Sequence, residues 1–269
     1  LFFNPALYLD RYAMPYDYMA AVDAIATTLA EGHHILQESL ALKIGRRVLD
    51  SEHVERVDVR IRKTERYDGV ESIGSAGYLI STFLVEKTNQ RTDEWGGSWE
   101  NRMRFAVEIV RRTRLAVGPN FIVVFRISAM DMLQGGLAWD EVVSLGKAIE
   151  AAGASIISTH FCWHEAQVPT IATMVPRAAF AGVTGRLRKE LGIPLITSNR
   201  INMPDVAEAV LAAGDADLVS MARPMLADAD LIKKTLEGRE DEINTCIACN
   251  QACLDHTFTG RMTSCLVNP

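Results

Sequence analysis

The sequence lacks the patterns that mark several common functional classes. No apolar run approaches the roughly 18–20 residues that cross a membrane, and no strand-like segment is followed by a G-x-G-x-x-G dinucleotide loop. Acidic residues outnumber basic ones, 34 to 28, and the net charge of −6 argues against nucleic acid and anionic membranes as main partners. No signal-peptide pattern is visible. We therefore expect a cytoplasmic protein with neither a nucleic acid nor a membrane as its partner.

Cysteine is scarce, with five residues, but four of them lie close together near residue 250. Cys246, Cys249, Cys253 and Cys265 are spaced so that three thiols reach one side of a tight loop and the fourth returns to it. Four such thiolates typically hold an iron–sulfur cluster. Zinc is an alternative, although four-cysteine zinc sites usually use two C-x2-C pairs and the second pair is missing. A disulfide framework suits short secreted chains, and coincidental packing also stays open.

Apolar residues make up 48% of the 269 residues, which is typical of a globular protein. From about Tyr67 onward, short apolar strands alternate with amphipathic helices, and continuous apolar runs indicate strands buried on both faces of a parallel sheet. The predicted strands are Asp68–Gly74, Phe121–Ser128, Ala154–Thr159, Pro194–Ser198 and Ala216–Met221, and the predicted helices are Trp99–Ala116, Asp140–Ala152, Ala178–Leu191 and Met203–Ala213. This alternation predicts an α/β fold.

The first 66 residues have a different pattern. They read as strand, helix, helix, strand, with segments at Phe2–Leu9, Tyr18–Glu31, Leu36–Leu49 and Val54–Arg62. This is an α+β arrangement that gives way abruptly to the α/β pattern. We therefore place a domain boundary near Lys63–Tyr67, which gives a small α+β segment over 1–66.

Polar residues gather where the predicted strands end. The positions are Tyr78, Arg126, Trp163-His164-Glu165, Asn199-Arg200 and Ala222-Arg223-Pro224. In (β/α)8 barrels the active site is built at this face, and the loops after the last two strands commonly bind phosphate. Each residue also has an ordinary interpretation. Tyr78 is then a loop residue, His164 is structural, and Arg200 and Arg223 are members of surface ion pairs. Arg126 lies inside an apolar strand and needs an anionic partner or ligand.

Several stretches resemble the old yellow enzyme family of FMN-dependent oxidoreductases, and within it the bacterial NADPH-dependent 2,4-dienoyl-CoA reductases. They are Thr88-Asn-Gln-Arg-Thr-Asp-Glu-Trp-Gly-Gly-Ser-Trp-Glu-Asn-Arg-Met-Arg-Phe105, Tyr67-Asp-Gly-Val-Glu-Ser-Ile-Gly-Ser-Ala-Gly-Tyr78, Trp163-His164-Glu165-Ala166, Thr197-Ser-Asn-Arg-Ile-Asn202, Ser220-Met-Ala-Arg-Pro224 and the cysteine segment Asn244–Pro269. The resemblance implies a partial (β/α)8 barrel, units four to eight, over 67–240, followed by a 4Fe–4S loop over 241–269.

The resemblance also implies roles for the candidate residues. Tyr78 is expected to protonate the substrate carbon while reduced FMN delivers hydride to an enoyl or dienoyl thioester of the acyl-CoA type, as in fatty acid β-oxidation, with His164 beside it. Arg126 is expected to contact the flavin. The ribityl phosphate is assigned to Arg200, Ala222 and Arg223, and the 4Fe–4S cluster to Cys246, Cys249, Cys253 and Cys265. FAD and NADPH are expected only on a downstream domain that this sequence does not include.

The chain departs from this family in three places. His160 and Cys162 occupy a loop where relatives tend to be smaller, and Gln167 replaces an expected arginine, which affects acyl-CoA recognition. With three barrel units missing, we expect open strand edges that an oligomer or a partner covers. An electron-transfer remnant that keeps the cluster without FMN is an alternative function.

Residues up to about Glu65 resemble instead the second half of dihydroneopterin aldolase, a small pterin-binding fold. The matching positions are Glu38 on a predicted helix, Lys63 at the end of a predicted strand, and Tyr18 with its spacing one residue off. An ordinary solvated pair is the competing interpretation of Glu38 and Lys63. A second alternative function is therefore a pterin-processing module fused to a non-functional barrel.

Overall fold

The computed structural model describes residues 27, 46–47, 69–168 and 170–268. The chain divides into two compact units, residues 1–67 and 68–269. Nearly all of the first unit, including Tyr18, Glu38 and Lys63, lies outside the described residues, so the predictions made there stay predictions. The second unit contains the strands and helices that carry the candidate site.

The second unit is built on a parallel sheet of five strands in sequential order. The strands are β1 (Gly69–Gly74), β2 (Ile122–Met130), β3 (Ile156–Phe161), β4 (Leu195–Thr197) and β5 (Leu218–Val219). The helices are α1 (Leu79–Leu84), α2 (Trp99–Val117), α3 (Trp139–Ala151), α4 (Ala181–Arg188), α5 (Pro204–Ala212), α6 (Arg223–Ala227), α7 (Leu231–Leu236) and α8 (His256–Phe258). A 3₁₀ turn, Glu240–Glu242, and a π-helical turn, Gln251–Asp255, belong to the C-terminal part. This β/α order confirms the α/β class and fits a partial barrel.

One face of the sheet packs against the helices. Val123, Phe125 and Ile127 alternate along β2 and are fully buried. They form a core cluster with residues of β3, β4 and the first four helices, among them Ile157, Leu195, Leu84, Val110, Leu145 and Leu187. Side chains alternate across a strand, so the residues between them point to the other face. That other face carries the polar residues of the strands.

The opposite face is more polar and more open. Ile73 of β1 is in register with Arg126 of β2, which pairs in turn with Ser158 of β3. On this face Ile73, Ile122 and Leu218 are between 42% and 44% exposed. In a closed barrel such positions fill the interior, so these apolar side chains mark the inner face of a barrel of which five strands are described.

Arginine side chains hold the ends of the β/α units together. Arg114, in the last turn of α2, donates to Gly118 O at 2.6 Å, Phe121 O at 2.7 Å and Gly153 O at 2.8 Å. Arg102 is buried and pairs with Glu141 of α3 at 2.7 Å. The hydrogen bonds of Arg114 satisfy carbonyl groups that the helix and strand ends leave without partners, and the Arg102–Glu141 pair joins α2 to α3. They fix the spacing between consecutive strands and therefore the positions of the loops at the strand ends.

The observed bounds differ from the predicted ones at several ends. β2 and β3 each extend two residues beyond their predicted ends, to Met130 and Phe161, while α4 is shorter than predicted, at Ala181–Arg188. Ala178 has a left-handed φ of 53°, which a right-handed helix excludes, so α4 starts only after it. Helices α1, α6, α7 and α8 were not predicted at all.

Candidate active site and cysteine pocket

Tyr78 and His164 meet at the carboxyl ends of the strands. The Tyr78 hydroxyl lies 3.1 Å from His164 Nε2, and the two rings pack edge to face with centroids 5.3 Å apart. Tyr78 precedes α1 in the loop after β1, whereas His164 follows β3. Because Tyr78 is 53% exposed, its hydroxyl is accessible to a ligand. The structure thus brings together the two residues that the sequence assigned to proton transfer.

A tight turn places Tyr78. Gly77 has a φ of +87°, and a Cβ there would lie 3.1 Å from Trp163 and 3.2 Å from a carboxylate oxygen of Glu165. The Gly77 N–H donates to Ser81 Oγ at 3.1 Å, which ties the turn to α1. Glycine is required both for the left-handed backbone and for the close approach of the Trp163 ring. The loops after β1 and β3 are therefore packed directly on each other.

Buried Asp131 anchors the His164 loop. One carboxylate oxygen accepts from the Trp163 indole N–H at 2.8 Å and from the Ser128 hydroxyl, and the other accepts from the Leu137 N–H at 2.7 Å. The Asp131 carbonyl accepts from the Trp163 N–H at 3.0 Å. Trp163 is only 4% exposed, so this aspartate fixes the residue immediately before His164. Asp131 was not identified from the sequence. The signal that could have indicated it is a carboxylate directly after β2 and three residues after Ser128.

Arg126, in the middle of β2, and His160, near the end of β3, lie on the inner face. Arg126 approaches Glu71 of β1 at 3.8 Å, a loose ion pair. Burial, together with the positive charges of Arg126 and His164, lowers the pKa of His160 from 6.5 to about 4. His160 is therefore neutral at physiological pH, and its imidazole can donate or accept a hydrogen bond. The sequence had placed His160 in a loop and assigned it no role, whereas the structure places it in β3, because that strand extends beyond its predicted end.

Four consecutive strands carry, within the strand or directly after it, a buried polar atom that lacks a hydrogen-bond partner within the described part of the chain. They are Ser75 Oγ after β1, Arg126 Nε in β2, His160 Nδ1 in β3 and Asn199 Nδ2 after β4. Buried polar groups are nearly always paired in native proteins, and four of them on one edge of the sheet indicate a place for a polar ligand. A flavin, whose ring carries several hydrogen-bonding atoms, suits this donor and acceptor set.

The residues predicted to bind phosphate occupy the loops after β4 and β5. Arg200 has a left-handed φ of +59° and donates from Nε to Val175 O at 2.8 Å. Ala222 is the N-cap residue of α6 and Arg223 is its first residue. The Arg223 guanidinium donates to the Asn250 side chain of the cysteine segment. Arg223 therefore also connects the barrel to that segment.

All four clustered cysteines line one small pocket. They share it with Arg223 and Leu226 of α6, with Asn250, and with apolar residues of the cysteine segment; the four are Cys246, Cys249, Cys253 and Cys265. None of these four cysteines is in a disulfide, and each is partly buried. Among the described residues, no three Cys, His, Asp or Glu side chains are arranged to hold a single metal ion. The iron–sulfur cluster predicted from the cysteine spacing therefore stays a prediction.

The sequence model of the NADH:flavin oxidoreductase / NADH oxidase family matches residues 31–242. The chain belongs to this family of flavin-dependent oxidoreductases, which confirms the resemblance to the old yellow enzymes. The match begins inside the segment that resembled dihydroneopterin aldolase, and that second resemblance stays a prediction. In the part of the chain that the structure describes, no helix is long and apolar enough to span a membrane.

Several curated relatives and solved structures are similar to this chain. A metal reductase of Desulforamulus reducens is 44% identical over 77% of this chain and 31% of its own length. An NADH oxidase of Thermoanaerobacter brockii is 37% identical over 79% of this chain and 33% of its own length. The structure of a 2-naphthoyl-CoA reductase complex superposes with a TM-score of 0.73 at 34% identity, covering 87% of this chain and 34% of that one. The chain thus spans about a third of the length of these relatives.

Proposed function

We propose that this chain is the flavin- and cluster-binding part of an oxidoreductase that reduces a carbon–carbon double bond conjugated to a carbonyl or thioester group. The observation that carries this proposal is the 3.1 Å hydrogen bond between Tyr78 and His164 at the carboxyl ends of the strands. The chain belongs to a family of flavin-dependent oxidoreductases. Tyr78 of this pair is an accessible proton donor, and it lies beside the edge of the sheet that carries the buried polar atoms without a hydrogen-bond partner.

FMN is the flavin we assign to this edge. Arg126 and His160 would contact its polar ring atoms, while Arg200, Ala222 and Arg223 would hold its phosphate, since arginine suits phosphate through several parallel hydrogen bonds. When bound, FMN supplies the hydride chemistry, and the protein supplies orientation and electrostatics. The partnerless atoms of Arg126 and His160 support the ring assignment.

Tyr78 is the proton donor in this proposal. A phenol with a pKa of about 10 is a weak acid in water, but it can transfer its proton when a neighbouring imidazole holds its hydroxyl in place. His164 Nε2 is that neighbour at 3.1 Å. The proton leaves the Tyr78 oxygen for the substrate carbon next to the carbonyl, as the other carbon of the double bond receives hydride.

The substrate class is supported by two relatives. A cinnamate reductase of Clostridium sporogenes is 30% identical over 78% of this chain, and the 2-naphthoyl-CoA reductase structure is 34% identical. Both names describe substrates in which unsaturated carbon is conjugated to a carboxyl or thioester group. An enoyl or dienoyl thioester fits this class, and acyl-CoA recognition remains part of the proposal.

A second candidate function is electron delivery to an external acceptor. The metal reductase at 44% identity favours it. In that case the four cysteines would hold a cluster that supplies one-electron transfer between the flavin and the acceptor. This use of the cluster does not need Tyr78, which separates the two functions experimentally.

Tyr78→Phe tests the proton-donor role directly. We expect roughly a 10²- to 10⁴-fold slower single-turnover reduction of an enoyl thioester by the photoreduced protein, because the donor proton is removed. Leu79→Ala is the matched control, since Leu79 is the next residue and is 66% exposed. Equal rates for Tyr78→Phe and wild type would refute the role. A variant that reduces the thioester slowly but reduces a soluble ferric acceptor at the wild-type rate would show that electron delivery does not need Tyr78.

A further inference from the structure

We propose that Arg223 is a positioning and charge-tuning residue of the cysteine pocket, in addition to any role toward a phosphate. This inference rests on the proposed cluster. The Arg223 side chain would have two effects on that cluster. It fixes the loop that presents two of the thiols, and it places a positive charge beside them.

The pocket itself supports the charge role. Apart from the four cysteines, Arg223 is the one ionisable residue among the described residues that line it, and the other lining residues are apolar or neutral. Thiolates and a cluster carry negative charge, and an apolar lining strengthens their interaction with a nearby cation. Net charge near a cluster is one of the determinants of its reduction potential. The guanidinium of Arg223 would therefore favour the reduced cluster.

The hydrogen bonds of Asn250 support the positioning role. Asn250 lies between Cys249 and Cys253, has a left-handed φ of 64° and is the N-cap of the π-helical turn Gln251–Asp255. Its Oδ1 accepts from Arg223, and its Nδ2 donates to Ile171 O at 2.9 Å. Arg223 thereby holds the residue at which the loop reverses direction between two of the thiols.

A second amide holds the start of the same loop. Asn202, in the loop after β4, donates from Nδ2 to Cys246 O at 2.7 Å. The cysteine loop is thus fixed from two consecutive strand-end loops, by Asn202 after β4 and by Arg223 after β5. Only the second of these contacts brings a charge. Loss of Arg223 should change both the stability and the potential of the cluster, whereas loss of the Asn250 contact should change stability alone.

The test uses the full chain purified without oxygen. Iron and sulfide per chain, the rate of iron loss to a chelator, and the cluster midpoint potential by EPR-monitored titration are measured. Arg223→Gln should lose iron roughly tenfold faster, because a hydrogen bond from a charged group is removed, and should have a more negative midpoint potential. Asn250→Gly keeps the left-handed backbone and should lose iron faster with an unchanged potential.

Two further variants separate charge from folding effects. Arg223→Lys keeps the positive charge and should keep a potential near that of wild type even where its iron content falls. Arg261→Gln removes a positive charge from the same loop outside the pocket lining and should leave both readouts unchanged. If Arg223→Gln matches wild type in potential and iron retention, the inference is wrong and the proposed cluster stands. If the wild-type chain binds no iron, the cluster proposal and this inference both fail.

Discussion

At the scale of single residues, His160 and His164 lie four positions apart in opposite environments. His164 shares a hydrogen bond with the exposed Tyr78. His160 is partly buried, and its pKa is lowered to about 4 by that burial and by the charges of Arg126 and His164. One sequence segment therefore supplies both a partner for a proton donor and, at physiological pH, a neutral imidazole near Arg126.

His160 makes the stability of the fold depend on pH. Its folded-state pKa, about 4, is below the unfolded value of 6.5, so the unfolded chain binds more protons between these pH values. Stability contributed by the neutral imidazole is present above pH 6.5 and is lost as the pH falls toward 4. Between pH 7 and pH 5 this amounts to about 2 kcal/mol.

His160→Gln should remove that part of the pH dependence. Urea unfolding of wild type and variant at pH 7 and pH 5 measures it, because glutamine is polar but does not titrate. We expect the variant to lose about 2 kcal/mol less than wild type over this interval. If the free energy of unfolding falls by the same amount in both proteins between pH 7 and pH 5, His160 is not held neutral in the folded chain.

The sequence predicted that Tyr78 and His164 meet, but it did not predict the residues that hold them in place. Tyr78 and His164 follow strands of one parallel sheet, so topology alone brings them to the same edge. Asp131 and His160 were missed because their importance comes from burial and from contacts across loops. A single sequence does not reveal either property, whereas a tyrosine after a strand is visible at once.

At the scale of elements, the loop after β3 depends on one carboxylate. Asp131 accepts from three donors, the Trp163 indole, the Ser128 hydroxyl and the Leu137 N–H, and is itself 3% exposed. An amide in its place would turn an NH₂ group toward one of these donors. The loop that carries His164 would then lose an anchor and bury an unpaired group.

Asp131→Asn should lower the free energy of unfolding by about 2 to 3 kcal/mol, because it loses hydrogen bonds to a charged acceptor. Trp163 should become more exposed, with a red-shifted fluorescence emission in the folded state. Glu86→Gln, at an exposed position, is the control with the same loss of charge. A variant as stable as wild type, with an unshifted emission maximum, would contradict the anchoring role of Asp131.

The long elements were predictable and the short ones were not. Helix α2 carries the expected signals, namely the Ser98 N-cap, an acidic first turn and Gly118 after its last residue. Helices α1, α6 and α7 have five or six residues each, too few for a hydrophobic period to appear in the sequence. Tertiary contacts, such as those of Ser81 in the Tyr78 turn, stabilise them instead.

At the scale of the whole molecule, the described strands form five units of a barrel whose inner face is still open to solvent. Ile73, Ile122 and Leu218 are exposed on that face, and β1 and β5 are the edges of the sheet as described. Exposed apolar surface and free strand edges favour association. A partner or a second copy that covers them therefore remains our expectation.

The most direct test of flavin and cluster binding is an ultraviolet–visible spectrum of the full chain purified without oxygen, with FMN and iron quantified. We predict flavin bands on a broad iron–sulfur absorbance, with FMN and about four iron atoms per chain. Iron without flavin would limit the chain to cluster binding. A folded, colourless protein that contains neither FMN nor iron would contradict the proposed function.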